Sequence, residues 1–203
     1  ETVSLTLSNP TSGATLGANT SATLSIDNVT SGGGGGGGSF TLTAPGMKAT
    51  VGGAFNPMLV QSSQVLGIMN ITGIMAGTTS KTITLTLAGI APGSTGTFSL
   101  ADDDAFAGYA LTTSTFGGST VCSTIKTYNS EAPSTGTINI IEWNTATKVF
   151  KATFSFTCHG VDAGKTCTSI GGGSSTFTDL PVPTDRPSIT AGQIWASGYP
   201  VSP

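Results

Sequence analysis

Charged side chains are scarce in this chain. Asp, Glu, Lys and Arg together make up 8% of its 203 residues, whereas about a quarter is usual for a soluble domain. Only seven residues are basic and the formal net charge is −3, which excludes the basic surface that attracts nucleic acid or an anionic membrane. We therefore predict no nucleic-acid partner.

Long apolar runs and histidine are equally scarce. No stretch reaches the roughly 20 consecutive apolar residues of a transmembrane helix, so we predict no membrane span. His159 is the single histidine, and a nucleophile–histidine pair requires it to lie in a cleft and to be oriented by a third group. Its position at a predicted hairpin tip favours exposure. We predict that the chain has no catalytic residue and is not an enzyme.

Aromatic residues are few, at 7%, and scattered, so they form no visible platform on which bases or sugar rings stack. Glu142 directly precedes Trp143, a pair that suggests a sugar site or one of the paired carboxylates of glycoside hydrolysis. A surface pair on a sheet is the better interpretation of the same two residues.

Apolar and hydroxyl residues alternate with a period of two along most of the chain. In "KTITLTLAG", Ile83, Leu85 and Leu87 alternate with threonines. The pattern recurs in about ten short segments, separated by turn signals such as "APGSTG" and "SEAPSTG". This spacing predicts an all-β fold, an antiparallel sandwich or barrel. Its core is expected to include Phe150, Phe154 and Phe156.

One segment, "MLVQSSQVLGIMNITGIMAG", lacks strict alternation and is rich in isoleucine and methionine. A strand buried on both faces and a short helix both fit it. We favour strands, because Gly67, Gly73 and Gly77 would weaken a helix.

Seven consecutive glycines, residues 32–38, mark the one clear linker. Polyglycine has no side chains to pack and maximal backbone freedom, so it behaves as a flexible tether. The sequence therefore predicts a β-hairpin arm at residues 1–30, a Gly-rich linker at residues 31–39 and a body at residues 40–203. The arm carries an apolar stripe made of Val3, Leu5, Leu7, Leu24 and Ile26.

Residues 1–28 resemble the C-terminal hairpin of a Calx-beta domain, a β-sandwich module. The resemblance rests on "LTLSNP", on "GATLG" and on an alternating strand that ends in "SID". It covers only the last two strands of that module. In the family an acidic residue at the end of the last strand helps to bind calcium, and Asp27 occupies that place. The partner acids would come from strands that residues 1–28 do not contain.

Part of the body, residues 120–183, resembles uncharacterised bacterial secreted β-rich proteins and lipoproteins. The resemblance rests on "GTINIIEWNTATKVFKATFSFTC" followed by "STFTDLPV". Ala152 stands where that pattern usually has glycine. The resemblance implies a β fold and export, and it implies no activity.

Cysteine is limited to Cys122, Cys158 and Cys167. In "CHGVDAGKTC" a two-residue turn at Asp162 and Ala163 would place Cys158 directly opposite Cys167. Directly opposed residues of a non-hydrogen-bonded pair lie close enough to bridge. We therefore predict a Cys158–Cys167 disulfide, with Cys122 free or paired between molecules. The spacing fits no standard zinc pattern.

The densest cluster of charge is Asp102, Asp103 and Asp104 in "ADDDAF". Carboxylate oxygens in a loop are ligands that calcium prefers, although the spacing and glycine of an EF-hand are absent. A solvated acidic turn is the alternative interpretation. Calcium at these residues is the only cofactor that the sequence suggests.

An isolated hairpin is marginally stable at best, so the apolar stripe of the arm has to be buried. It can pack on its own body, complete a sandwich whose earlier strands are missing, or add to the sheet of another copy. The third possibility predicts an extracellular or cell-surface structural subunit that self-assembles into a filament or layer, a homo-oligomer formed by strand addition. The alternative is the terminal module of a larger adhesin, which binds a glycan or an apolar ligand.

Overall fold

A computed structural model describes residues 2–6, 21–25, 40–131, 134–171 and 175–202, the first two ranges by their backbone alone. These residues form strands and no helix. In chain order the strands are β1 (Thr2–Thr6), β2 (Ser21–Ser25), β3 (Gly46–Thr50), β4 (Ala54–Phe55), β5 (Leu59–Val65), β6 (Ile68–Met75), β7 (Thr79–Leu87), β8 (Gly96–Ser99), β9 (Ala101–Asp102), β10 (Ala105–Gly117), β11 (Thr120–Asn129), β12 (Gly136–Asn144), β13 (Val149–Thr157), β14 (His159–Ser169), β15 (Ser175–Asp179), β16 (Ser188–Ser197) and β17 (Val201–Ser202).

The chain divides into two compact units. One unit holds β1 and β2, and the other holds β3 to β17. Strands β1 and β2 pair antiparallel, with Val3 opposite Leu24 and Leu5 opposite Ala22. The apolar positions of the two arm strands are therefore in register. Leu7, Ile26 and Asp27, which belong to the predicted arm, lie outside the described residues.

Two sheets build the larger unit. A nine-stranded sheet has the order β15-β14-β11-β10-β7-β6-β5-β17, with β9 paired to β10, and a six-stranded sheet has the order β4-β3-β16-β13-β12-β8. The two sheets form a sandwich-like body and no closed barrel. The predicted all-β class is confirmed, and of the two predicted architectures the structure has the sandwich.

Alternation with a period of two explains why these strands share a core. On β7, Ile83, Leu85 and Leu87 are fully buried while the threonines between them remain half-buried. On β13 of the other sheet, the predicted core residues Phe150, Phe154 and Phe156 are buried. All of these side chains belong to one hydrophobic cluster between the sheets.

Hydroxyl and amide groups on the outer faces bond across neighbouring strands. On the outer face of the nine-stranded sheet, Thr72 and Thr84 hydroxyls lie 3.3 Å apart, and the Thr86 hydroxyl donates to the Asn70 amide oxygen at 3.0 Å. Such cross-strand pairs stabilise a sheet. In the described part of the chain, where Glu142 and Lys151 form the one ion pair, such hydroxyl and amide pairs supply most of the side-chain bonding between strands.

Residues 58–77, the segment without strict alternation, form a hairpin of β5 and β6. Its two-residue turn at Leu66 and Gly67 has positive φ at both positions, 51° and 83°, which is the primed turn geometry that suits paired strands. Met69 and Ile71 on β6 are fully buried, whereas Asn70 and Thr72 between them are only half-buried. The strand prediction is confirmed, and one face of the segment is buried rather than two.

The chain changes sheets at Cys158. Strand β13 ends at Thr157 in the six-stranded sheet, and β14 begins at His159 in the nine-stranded sheet. Asp162 and Ala163 lie inside β14, so the two-residue turn expected at these residues is absent. Throughout the described ranges, the structure has no helix with the length and apolarity that a membrane crossing requires.

Candidate functional site

The disulfide joins Cys122 to Cys167, and Cys158 is free and buried. The prediction of a Cys158–Cys167 bridge with a free Cys122 is therefore wrong. Strand β14 pairs with β11 rather than with β13, and this register places Cys122 directly opposite Cys167. Ile170 N donates to the Ser119 carbonyl oxygen in the same register, so the cysteines occupy a non-hydrogen-bonded pair. Directly opposed residues of a non-hydrogen-bonded pair do form the bridge, as expected, but they lie on β11 and β14 rather than on β13 and β14.

The disulfide lies in a part of the nine-stranded sheet that has no core. We call this part the blade and define it as residues 112–126 and 164–179 without 172–174. It comprises the distal portions of β10, β11 and β14 together with β15, and none of its described residues is buried. The hydrophobic cluster ends before it, at Tyr109 on β10 and Tyr128 on β11. Backbone pairing, the disulfide and a few hydroxyl pairs such as Ser114 with Ser123 therefore hold the blade together.

Strand β15 forms the outer edge of the blade, and all five of its residues are exposed. Leu180 N donates to the Ala163 carbonyl oxygen at 2.9 Å. This bond determines which residues of β15 direct their backbone N–H and C=O groups to β14 and which direct them away from it. Thr176 and Thr178 direct their backbone groups to β14, while Ser175, Phe177 and Asp179 direct theirs to the free side. In the described part of the chain, no strand pairs with that side.

An apolar patch covers one face of the blade beside this edge. Phe177 is 67% exposed and Ile125 is 44% exposed. The ring of Phe177 lies over Gly164, where an added Cβ would come within 2.7 Å of it. Gly164 is paired with Ile125, so both apolar side chains flank the same glycine. Two exposed apolar side chains therefore lie side by side on this face of the blade.

His159 is half-buried at the start of β14 rather than exposed at a hairpin tip. Its Nδ1 lies 3.0 Å from the Ser134 hydroxyl, a pairing that sequence analysis missed because the two residues are distant in sequence. Ser134 is only 7% exposed, and among the described residues no carboxylate forms an ion pair with His159. The pair thus lacks both an accessible nucleophile and the orienting acid of a catalytic triad.

The three aspartates lie at a tight turn and do not form a cluster of three metal ligands. Asp102 ends β9, Asp103 and Asp104 form the two-residue turn, and Ala105 begins β10. A tight turn directs successive side chains apart, and the described residues contain no group of three or more His, Cys, Asp or Glu side chains that could hold a metal ion. The predicted calcium site at these residues finds no support in the geometry.

Asp102 and Asp104 instead line a cavity of about 220 Å³, together with Ser94, Ser99 and Phe98. This volume is below the roughly 300–1,000 Å³ of typical ligand sites. Within the described residues this cavity is one place where the alternative function, binding of a glycan or apolar ligand, can be sought.

Glu142 forms an ion pair across the sheet. Its Oε2 accepts a hydrogen bond from Lys151 Nζ at 2.8 Å, and that ammonium also lies 4.6 Å from the centre of the Trp195 ring. Trp143 points the other way, into the core, where it meets Phe150 edge to face. The interpretation of Glu142 as part of a surface pair fits this geometry, and the ammonium covers the ring of Trp195.

A cluster of titratable groups, in which Tyr109, Tyr128 and Cys158 are buried and Asp185 is exposed, lies where β11 and β14 leave the core. The Tyr128 hydroxyl donates to both Asp185 carboxylate oxygens, each at 3.1 Å, and the Cys158 thiol donates to the Pro187 carbonyl oxygen at 3.4 Å. Burial, followed by the charge of Asp185, raises the pKa of the Cys158 thiol to about 12. Such a thiol stays protonated, so it is neither a nucleophile nor a metal ligand.

Burial also raises the pKa values of the tyrosines. Burial, and then the neighbouring Cys158 and Asp185, raises the pKa of Tyr109 to about 12. Burial and the hydrogen bond to Asp185 raise the pKa of Tyr128. Burial also raises the pKa of Tyr199, against a smaller opposite effect of the neighbouring Trp143.

No family model, no curated protein and no solved structure matches this chain. The Calx-beta resemblance of residues 1–28 and the secreted-protein resemblance of residues 120–183 remain predictions. A function has to be inferred from the residues and contacts described above.

We expect the three tyrosines of the chain to ionise only when the protein unfolds. The unfolded chain releases the Cys158 proton near pH 9.0 and the Tyr109 proton near pH 10.0, whereas the folded chain retains both to about 12. The stability that these groups contribute is thus complete below about pH 9 and is lost as the pH rises toward about 12. Tyrosinate absorbance and far-ultraviolet circular dichroism, followed from pH 7 to 12, should change at the same midpoint.

Cys158→Ala provides the control, because it removes the group that titrates first. Its free energy of unfolding should fall less steeply between about pH 9 and 10 than that of the parent chain. A tyrosinate signal that rises near pH 10 while the circular dichroism is unchanged would contradict the burial of these groups.

Proposed function

We propose that the chain is an extracellular structural subunit that assembles into a filament by β-strand addition, with the arm of one copy completing a sheet of the next. One observation carries the proposal. Strands β1 and β2 form a two-stranded sheet in a unit that is separate from the body. Two strands alone are marginally stable in water and need a third strand or a packed face.

The architecture of the body supports this proposal, because an open sandwich has sheet edges and a closed barrel has none. Each edge presents backbone N–H and C=O groups that an added strand can satisfy. Strand addition supplies those hydrogen bonds and buries alternate side chains in one step. The resemblance of residues 1–28 to the end of a Calx-beta sandwich supports the same proposal, since it implies a hairpin whose remaining sheet lies elsewhere.

One arm per chain also sets the form of the assembly. A copy that donates one hairpin and accepts one hairpin makes a heterologous contact, which grows into a linear filament unless the rotation closes it into a ring. A layer requires a further contact. We therefore propose the filament rather than the layer.

The disulfide supports an oxidising compartment, because disulfides persist in secreted and cell-surface proteins and are rare in the cytosol. The low content of charged residues and the threonine-rich strands fit the same location. We therefore propose that the subunit works outside the cell or on the cell surface.

Deletion of residues 1–38 tests the proposal. All residues of the hydrophobic cluster lie at position 47 or later, so we expect the shortened chain to fold and to give an unchanged far-ultraviolet spectrum apart from the lost hairpin. Electron microscopy and light scattering should show filaments for the intact chain and monomers for the shortened one. Filaments from both chains would overturn the proposal. Monomers from both chains would also overturn it, and ligand screening on the body would then test the adhesin alternative.

A further inference from the structure

We infer that β15 is the edge that accepts the arm of another copy, an assignment that rests on the proposed function. The other sheet ends are poorer acceptors. In the described chain, β4 and β17 have two residues each and β8 has four. Phe55 of β4 is fully buried, and β17 already closes the far side of the nine-stranded sheet by pairing parallel to β5.

Strand β15 has the hydrogen-bonding groups that an acceptor needs. Ser175, Phe177 and Asp179 direct their backbone N–H and C=O groups away from β14, as the Leu180–Ala163 bond requires. Five consecutive residues in regular register offer a straight run of three donor–acceptor pairs. The arm strands β1 and β2 have five residues each, so their length matches this edge.

The edge also lacks the devices that normally prevent strand addition. Proteins protect exposed edges with lysine, proline or a bulge. Strand β15 contains neither residue, and its pairing with β14 shows no shift of register. Its single charge, Asp179, lies at the end of the strand and meets no like charge, because β1 and β2 contain no charged residue.

Apolar surface at the edge gives an arriving hairpin something to cover. Phe177 lies in the centre of β15 and is 67% exposed. The apolar positions of the arm, Val3 with Leu24 and Leu5 with Ala22, are opposite one another in the hairpin. In each arm strand these positions are two residues apart, so in a second copy they would lie on one face of the sheet that the arm extends.

The connection between arm and body is long enough to reach a neighbour. Fourteen residues, 26–39, separate β2 from Phe40. At 3.3–3.6 Å per residue they span up to about 45–50 Å when extended. That length exceeds the roughly 30 Å diameter of a small domain and permits docking on an adjacent copy.

Full-length variants that block one partner at a time test this assignment. Phe177→Lys adds a charge to the accepting edge. Ser175→Pro removes an N–H that points to the free side and the hydroxyl pair with Thr168, while it leaves the backbone hydrogen bonds to β14 intact. Ser4→Pro disrupts the donating hairpin. Thr97→Lys adds the same charge to β8 and is the matched control. Melting curves of all four variants verify that the body is folded.

We expect the two β15 variants and Ser4→Pro to remain monomeric alone and Thr97→Lys to form filaments. Phe177→Lys retains an arm and Ser4→Pro retains an open edge, so their mixture should form a complex with twice the mass of one chain and grow no further. In that complex the backbone amides of Ser175, Phe177 and Asp179 in the Ser4→Pro chain should become protected from hydrogen exchange.

The outcomes separate the two proposals. Filaments from Phe177→Lys and Ser175→Pro, with monomers from Ser4→Pro, would overturn the assignment of β15 and leave arm-mediated assembly intact. Filaments from Ser4→Pro and from the chain without residues 1–38 would overturn the proposed function itself. An intact chain that stays monomeric and shows protected β15 amides would mean that the arm occupies its own edge, which would overturn the intermolecular contact.

Discussion

Replacement of Phe154 by alanine is expected to lower the free energy of unfolding by about 3–5 kcal/mol, the range for loss of a buried aromatic side chain. Phe154 is 1% exposed and lies at the centre of β13, opposite Ile138 on β12 and Gly192 on β16. Its ring stacks on Phe156 with centroids 6.1 Å apart. Neighbouring strands fix all of these groups, so the cavity has little room to collapse. Urea denaturation of the two proteins measures the difference.

The ring of Phe154 packs against Gly192, which has no side chain. A Cβ at that position would lie 2.5 Å from the ring of Phe154, so Gly192→Ala should cost about 1–3 kcal/mol through overpacking. In the Phe154→Ala background the same methyl group enters the space that the ring has left. The double variant should then be more stable than the sum of the two single changes predicts, by about 0.5–3 kcal/mol.

Gly108→Ala is the matched control for this cycle. Gly108 also lies within a long strand, β10, but an added Cβ would come no closer than 3.8 Å to another atom. The control should therefore change the free energy of unfolding by no more than about 0.5 kcal/mol. Additive effects of Gly192→Ala and Phe154→Ala would contradict the contact on which the prediction rests.

Local patterns in this sequence predict strands well because each strand buries only one face. Ile83, Leu85 and Leu87 show that pattern directly, and Phe150, Phe154 and Phe156 repeat it on the opposite sheet. The secondary structure of the segment around Leu66 and Gly67 is harder to predict, because its apolar residues do not alternate strictly with polar ones. Even there the glycines favour a hairpin over a helix.

Which strand pairs with which is not a local property, and the cysteines demonstrate this. Counting from an assumed turn at Asp162 paired Cys158 with Cys167, but the chain crosses to the other sheet at Cys158. The pairing partner of β14 is β11, whose cysteine is 45 residues away in the sequence. The pairing of β12 with β13, which continues to Thr135 and Thr157, brings Ser134 to His159. The order of the strands also makes β15 an edge, a property that nothing within "STFTD" indicates.

Removal of the disulfide is the second change that we expect to lower stability by a large amount. The Cys122→Ala, Cys167→Ala double variant opens a loop of 45 residues, for which the chain-entropy estimate is a loss of about 4 kcal/mol. Thermal melting measures the total loss. Cys158→Ala is the control, because it removes a cysteine from the core and leaves the disulfide in place.

The distribution of this loss is more informative than its size. Strands stay ordered where their side chains reach a core, and no described residue of the blade is buried. The disulfide joins the two inner strands of the blade, β11 and β14, and β15 pairs only with β14. Without the disulfide, hydrogen exchange should quicken at Thr176 and Thr178 by a larger factor than at Phe154. Equal quickening at all three amides would mean that blade and core unfold as one unit.

If the blade opens by itself, assembly should respond to reduction although the arm is unchanged. The proposed acceptor edge exists only while β15 is held against β14, and the variant without the disulfide populates open states in which that edge is lost. We therefore expect this variant to form filaments more slowly and at a higher concentration than the parent, with melting of its core still cooperative. Light scattering of the two proteins at equal concentration measures the difference. Cys158→Ala destabilises the core instead of the blade. It should therefore lower the melting temperature and leave the critical concentration for assembly nearly unchanged. The contrast between the two variants shows whether assembly requires the blade or only overall stability.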